Sequence, residues 1–380
     1  MKKPKVCFVT TFFYPVIGGV ENHIFYLSKE LIKKGYDVEV YTSDLNRDIR
    51  INKKIDEIDK IKIFRFKSLL KVSFGEIIFP GIFKAIKNSD ADIFHVHGFR
   101  HNYNLLFLFT KKPLLITPHF PIYRGQRNII IQLVADLIDI FLGRYIFKKY
   151  NKICVVTEIE KDWIKSFSVS EDKIILTPNA IPDNYFRRYN GKRFRKKYNL
   201  DNRIVILTMS RIHKSKGIDQ IIKVAKYFPE AKFVIMGKDG GEKDNLIKLS
   251  KSLQLNNVIF AGEVSEKEKL EAYAGSDIFC SPSHFEGFCI SILEAMSQGC
   301  AVITSNKGGM PWVVGKYGLI FKDNDLEDLK EKLKILISNK KILLKYKSLS
   351  KVRVKKFRWN KVADTLDKEY KKLINNQKFI

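Results

Sequence analysis

The chain has 380 residues, of which 45% are hydrophobic and 29% charged, and its formal net charge is +28. That length exceeds one ordinary core and suits two α/β domains, and the apolar content excludes a disordered chain. The charge calls for an anionic partner or surface, or reflects lysine-rich usage; a membrane span is excluded because the greasiest stretch, residues 129–142, is interrupted by Gln132, Asp136 and Asp139.

Residues 5–10 open the chain as a β-strand rather than a leader, because Pro15 and Gly18-Gly19 end the apolar run and no small-residue cleavage site follows. Short apolar, β-branched runs then alternate with amphipathic ones, as in a parallel sheet wound with helices. Strands are expected over 5–10, 37–42, 62–66, 93–97, 114–117, 152–157 and 173–177, with helices over 20–34 and 128–148. Residues 187–197 hold seven basic side chains and Gly191 without an apolar period, and read as a linker. A second series follows, with strands over 204–209, 232–236, 258–261, 278–281 and 301–304. The last helical patterns, 340–357 and 359–376, have no strand after them. Residues 330–380 carry seventeen Lys or Arg against Glu331, Asp364, Asp367 and Glu369, a local +13 that reads as a solvated helix face or attraction to an anionic leaflet.

The fold class is therefore α/β, with two Rossmann-like doubly wound domains whose strand ends face an interdomain cleft, the place where such sheets bind ligands. Cys7, Cys154, Cys280, Cys289 and Cys300 lack paired spacing, which favours free thiols in a cytoplasmic protein.

Chemistry is concentrated in loops after strands. Ser281-Pro282-Ser283-His284-Phe285-Glu286-Gly287-Phe288-Cys289-Ile290 leaves a buried strand and opens a helix that carries Glu294. A helix N-terminus suits a phosphate, and a carboxylate nearby suits sugar hydroxyls. Ser210-Arg211-Ile212-His213-Lys214-Ser215-Lys216-Gly217 follows another strand, and Arg211 and Lys216 together can neutralise a diphosphate. Gly18-Gly19 permits a tight turn aimed at an anion, and His119 closes a further strand. Asp323-Asn324-Asp325 resembles a metal-binding Asp-x-Asp, but it precedes an amphipathic helix and reads as its cap. His95 and His97 share one side of a strand and have no third metal ligand in view.

The order Gly18-Gly19-x-Glu21, His97, His119, Pro178-Asn179, Arg211 with Lys216-Gly217, Gly237, and Glu286-x7-Glu294 followed by Ala295-Met296 and Gly299 resembles the family-4 retaining glycosyltransferases of GT-B fold. It extends from about residue 5 to about residue 373, and its Glu-x7-Glu element is specific. The resemblance implies an acceptor-binding domain over 1–190, a nucleotide-sugar donor-binding domain over 198–355, and a C-terminal helix, 356–380, crossing back. Arg211 and Lys216 would clamp the donor diphosphate and Glu294 the ribose. Glu286 with the amides of Gly287 to Cys289 would hold the sugar, with Phe288, Ile290 and Gly237 also lining the donor site. His119, Gly18 and Gly19 would complete the reaction centre, with no metal or other cofactor. Three positions depart from the pattern: Ser210 and Ala180 where glycine is usual, and Cys289 in place of the second glycine of Glu-Gly-Phe-Gly.

The expected partners are a nucleotide-sugar donor, a glycan or lipid-linked acceptor, and an anionic membrane surface on the cytoplasmic side. Residues 67–83 and 120–126 are the expected acceptor loops. The rivals are a nucleotide-sugar epimerase on the same fold and a non-catalytic nucleotide-binding subunit. Nucleic acid is suggested by charge alone, with no recognition signature.

Overall fold

In the computed structural model, residues 3–46, 49–73, 76–119, 133, 136–137 and 139–377 are described. The chain divides into two compact units, Met1–Asn179 with Trp359–Ile380, and Ala180–Arg358. The expected loop over 120–126, and the helix over 128–148 up to residue 138 apart from residues 133, 136 and 137, lie outside the described residues.

The first unit is built on an eight-stranded sheet. Its strands are β1 (Lys5–Val9), β2 (Asp37–Ser43), β3 (Ile55–Ile58), β4 (Ile61–Phe66), β5 (Ile93–His97), β6 (Leu114–Thr117), β7 (Lys152–Val155) and β8 (Ile174–Leu176). Their order is β8-β7-β6-β5-β1-β2-β4-β3, parallel except where β3 pairs antiparallel with β4 at the edge. Central strands buried on both faces need continuous apolar sequence, and every residue of Ile93–His97 is buried. Helix α1 (Gly19–Lys33) presents Ile24, Leu27 and Leu31 to the core at helical spacing. The last helix, Trp359–Gln377, belongs to this unit and packs on α1. Its fully buried Tyr370 hydrogen-bonds His95 Nδ1 at 2.6 Å, and Tyr36 donates to Asp367 at 2.8 Å.

The second unit has a six-stranded, wholly parallel sheet of β9 (Val205–Met209), β10 (Lys232–Met236), β11 (Val258–Gly262), β12 (Ile278–Ser281), β13 (Ala301–Ser305) and β14 (Leu319–Phe321). The order β11-β10-β9-β12-β13-β14 places a switch point between β9 and β12, as that between β1 and β5 does in the first unit. The stretch 187–197 is not a bare linker, because Lys192–Lys197 is helical and lies in the second unit. Phe194 is buried, and a Cβ at Gly191 would lie 2.2 Å from Gly275 Cα, so the segment is packed rather than extended. Among the described residues no helix is long and apolar enough to cross a membrane.

Candidate functional site

Two loops meet at the β9/β12 switch point. The one after β9 turns through Lys214–Lys216, where His213 Nδ1 accepts from the Ser215 amide at 3.2 Å, and reaches Gly217 before helix α2 (Ile218–Ala225). Gly217 has φ +57°, and a Cβ there would stand 2.2 Å from the Pro282 carbonyl oxygen, so this position needs glycine on both counts. The His284 amide donates to Ser215 O at 3.0 Å and locks the two loops together. Gly237, at the end of β10, is as constrained: a Cβ would sit 1.8 Å from Ser210 O.

Within this frame Lys216 Nζ lies 2.5 Å from Glu286 Oε1, which also accepts from Ser283 Oγ at 3.2 Å. Burial pulls the Lys216 ammonium down, but the Glu286 charge and hydrogen bond outweigh it, and its pKa stands above the ordinary lysine value. The Glu286 backbone carbonyl accepts from the Gly309 amide at 2.8 Å. Gly308 is at φ +60°, where a Cβ would come within 2.1 Å of that same oxygen. Arg211 is exposed and has no carboxylate partner among the described residues.

The helix after this loop, Ile290–Gln298, starts from Cys289 and has neither a side-chain cap nor an acidic residue in its first turn. Its free amides therefore retain the partial positive charge of a helix N-terminus. Cys289 adopts φ +71°, ψ +75°, a left-handed conformation that favours glycine. Of the three departures from the family pattern, only this one carries backbone strain, since Ser210 and Ala180 are not at positive φ. The Cys289 thiol sits 3.4 Å from Ser281 Oγ and 3.3 Å from Ser291 Oγ; burial, then the Glu286 charge, raise it to about 11, so it is an un-ionised thiol. Phe288 is buried against Trp312 and Phe357. Glu294 accepts from Lys269 Nζ at 3.0 Å and Tyr273 OH at 2.9 Å, a pair that sequence reading did not find because both lie on the preceding helix, Glu266–Gly275.

Asp325 caps the helix Leu326–Ile337 by accepting from the Asp328 amide, as its position predicts. Asp323 does something else. Both its carboxylate oxygens face His284 Nδ1, at 2.9 and 3.1 Å, and Gln220 Nε2 donates to one of them at 3.0 Å. Among the described residues no three His, Cys, Asp or Glu side chains are arranged to hold a metal ion.

In the first unit Gly18 and Gly19 form no left-handed turn. Gly18 is extended and the helix starts at Gly19, while a Cβ at Gly18 would lie 2.3 Å from Glu21 Oε2, so the glycine leaves room for a carboxylate of its own helix. His119, at φ +60°, hydrogen-bonds His97 Nδ1 through Nε2 at 2.9 Å. His23, His95 and His97 continue the cluster, with ring centroids 4.6–5.2 Å apart. His95 bonds Tyr370 and Thr117, and His23 bonds Asn179 at 2.6 Å. Burial, then neighbouring imidazoles, hold His95, His97 and His119 well below the ordinary histidine value, and burial lowers His23 to about 4.

Comparison with known proteins follows this division of the chain. Residues 190–352 match the model for glycosyl transferases group 1, and residues 17–185 match that for glycosyltransferase family 4. An uncharacterised glycosyltransferase of Methanocaldococcus jannaschii is 25% identical, covering 99% of this chain and 100% of its own. A phosphatidylinositol N-acetylglucosaminyltransferase subunit of Homo sapiens is 25% identical over 96% of this chain and 75% of its own. Anabaena HepE, solved in complex with UDP and glucose, superposes with a TM-score of 0.75 at 16% identity, over 97% of this chain and 100% of its own.

Proposed function

Because the chain belongs to the family-4 glycosyltransferases of GT-B fold, we propose that it transfers a sugar from a nucleoside diphosphate sugar to a hydroxyl of a glycan or lipid-linked acceptor at the cytoplasmic membrane face, retaining configuration and needing no metal. The observation that carries this reading is the convergence of Arg211, the Lys216–Glu286 pair and the uncapped start of helix Ile290–Gln298 at one switch point. Fixed cations and free amides there are suited to a diphosphate as it departs with extra charge.

In this reading Arg211 and Lys216 take the diphosphate, with Lys216 turning from Glu286 towards it. Glu286, thus freed, and the amides of Gly287 to Cys289 hold the sugar hydroxyls. Glu294, oriented by Lys269 and Tyr273, takes the ribose diol through its remaining lone pairs. The acceptor oxygen bonds to the anomeric carbon as the carbon–phosphate-oxygen bond breaks on the same face, and the acceptor's proton passes to the leaving phosphate. His119, Gly18 and Gly19 are assigned to the acceptor side of the reaction, as the family resemblance implies. HepE, of the same fold, is solved with UDP and glucose, which supports a UDP-type donor.

Two features support work at a membrane. Leu133, Leu137, Ile140 and Phe141 follow helical spacing and are all more than half exposed, and residues 330–380 add the basic charge. The human relative's name, a phosphatidylinositol N-acetylglucosaminyltransferase subunit, is consistent with a lipid-linked acceptor.

The test is incubation with a panel of UDP-, GDP- and ADP-sugars, first alone and then with lipid-linked and oligosaccharide acceptors, with the product anomer read by NMR. Acceptor-dependent transfer with retention is expected. Conversion of donor without acceptor makes the protein an epimerase, and nucleotide binding with no sugar loss makes it a binding subunit.

A further inference from the structure

A second basic feature of the second unit lies away from the donor loops. It is a concavity of about 1080 Å³ bordered by Gly275 and Gly299, which precede β12 and β13, and so it sits at the amino end of the sheet, opposite Glu286 and Arg211. Eight lysines and arginines line it and no carboxylate does.

Local structure accounts for only part of that charge. Arg195 and Lys347 share Asp277, at 2.7 and 2.9 Å, and Arg358 pairs with Asp183 at 2.8 Å. The helices Glu266–Gly275 and Ile290–Gln298 end at the rim, and each C-terminus contributes about −0.5 charge. Two carboxylates and two helix ends thus offset roughly three of the eight positive charges. Among the described residues Arg187, Arg188, Lys192 and Lys351 have no carboxylate partner. Solvated cations on a convex surface spread apart, whereas these converge on a hollow from the chain segments 187–195 and 347–358.

We infer that this basin is a binding site for a polyphosphorylated group, whether a soluble oligophosphate or a phosphorylated lipid headgroup. Guanidinium forks from Arg187 and Arg188 suit phosphate oxygens bidentately, while Lys192 and Lys351 supply mobile point charges. The site is separate from donor binding and does not depend on the transferase reading.

The test titrates inorganic tripolyphosphate into the full chain by calorimetry, with Arg211→Ala as a background that removes one of the two clamp cations of the donor loop. Arg188→Gln with Lys351→Gln is expected to weaken binding about 100-fold, a factor of roughly ten per charged contact. The same charge change on a helix that does not line the basin, Lys248→Gln with Lys251→Gln, is expected to leave it unchanged. Phosphatidylcholine vesicles with and without 5% of a phosphatidylinositol bisphosphate, a polyphosphorylated headgroup, separate the sources. Loss of vesicle binding in the basin variant identifies the lipid headgroup, and unchanged vesicle binding identifies the soluble anion. The inference is overturned if tripolyphosphate binds the basin variant as it binds the parent, if the control pair weakens it equally, if Arg211→Ala alone abolishes it, or if duplex DNA binds more tightly than tripolyphosphate.

Discussion

Cys289 is a non-glycine residue held at positive φ, and its replacement gives a graded test of the site's geometry. A non-glycine residue in the left-handed region costs about 1–2 kcal/mol, which Cys289→Gly removes. Glycine gives back about 0.4–1 kcal/mol through the freer unfolded chain. Losing the half-buried thiol and its methylene costs about another 1 kcal/mol. The terms nearly cancel, so Cys289→Gly is expected within about 1 kcal/mol of the parent. Cys289→Ala retains the strain and loses the packing, and is expected about 1 kcal/mol less stable. Cys289→Val adds a β-branched side chain to the same strained φ, at about 2–3 kcal/mol. With about 2–4 °C of melting temperature per kcal/mol, differential scanning fluorimetry resolves this order. Valine as stable as glycine would refute the left-handed start of helix Ile290–Gln298, and with it the placement of the amides offered to the donor sugar.

Arg211→Ala and Lys216→Ala are each expected to lower turnover at least about 10²-fold without unfolding, since each removes a cation from the developing diphosphate charge; near-normal turnover in a folded variant contradicts the clamp. Gly308→Ala places a Cβ against Glu286 O at a positive φ, and is expected to cost about 2–4 kcal/mol and at least tenfold in nucleotide affinity, both read by melting with and without nucleotide. Stability should also fall at acid pH. His23 is neutral in the fold down to about 4 but titrates near 6.5 when unfolded, so its contribution is complete above 6.5 and is lost as pH falls towards 4, at up to about 1.4 kcal/mol per pH unit. A melting temperature that stays flat between pH 7 and 5 argues against the buried neutral cluster.

The strands were legible because central parallel strands are buried on both faces. The runs 93–97, 114–117, 232–236 and 278–281 coincide with the observed bounds, since nothing but a doubly covered strand makes so short an apolar run useful. Ile55–Ile58 escaped because an edge strand with alternate exposed residues has only two apolar positions to signal it. The placement of Glu286 in a loop and Glu294 in the following helix is legible from their spacing. The contacts around them are not: Lys216 reaches Glu286 across 70 residues, and Lys269 reaches Glu294 from another helix, contacts that only the tertiary fold creates. Gly308-Gly309 after β13 was the one neglected local signal, two adjacent glycines beyond a strand of the same sheet. Gly18 shows the opposite error, a glycine read as a turn when its missing Cβ makes room for Glu21.

Fixed protein charges at the β9/β12 switch point are proposed to bind a nucleoside diphosphate. Calorimetric titration of UDP, GDP and ADP in EDTA into the parent, Arg211→Ala and Glu294→Ala tests it most directly. Saturable binding of one of the three to the parent without metal is expected, weakened at least about tenfold in each variant by the loss of a charged contact. Binding that appears only when magnesium or manganese is restored, or that is the same in the parent and both variants, would contradict it.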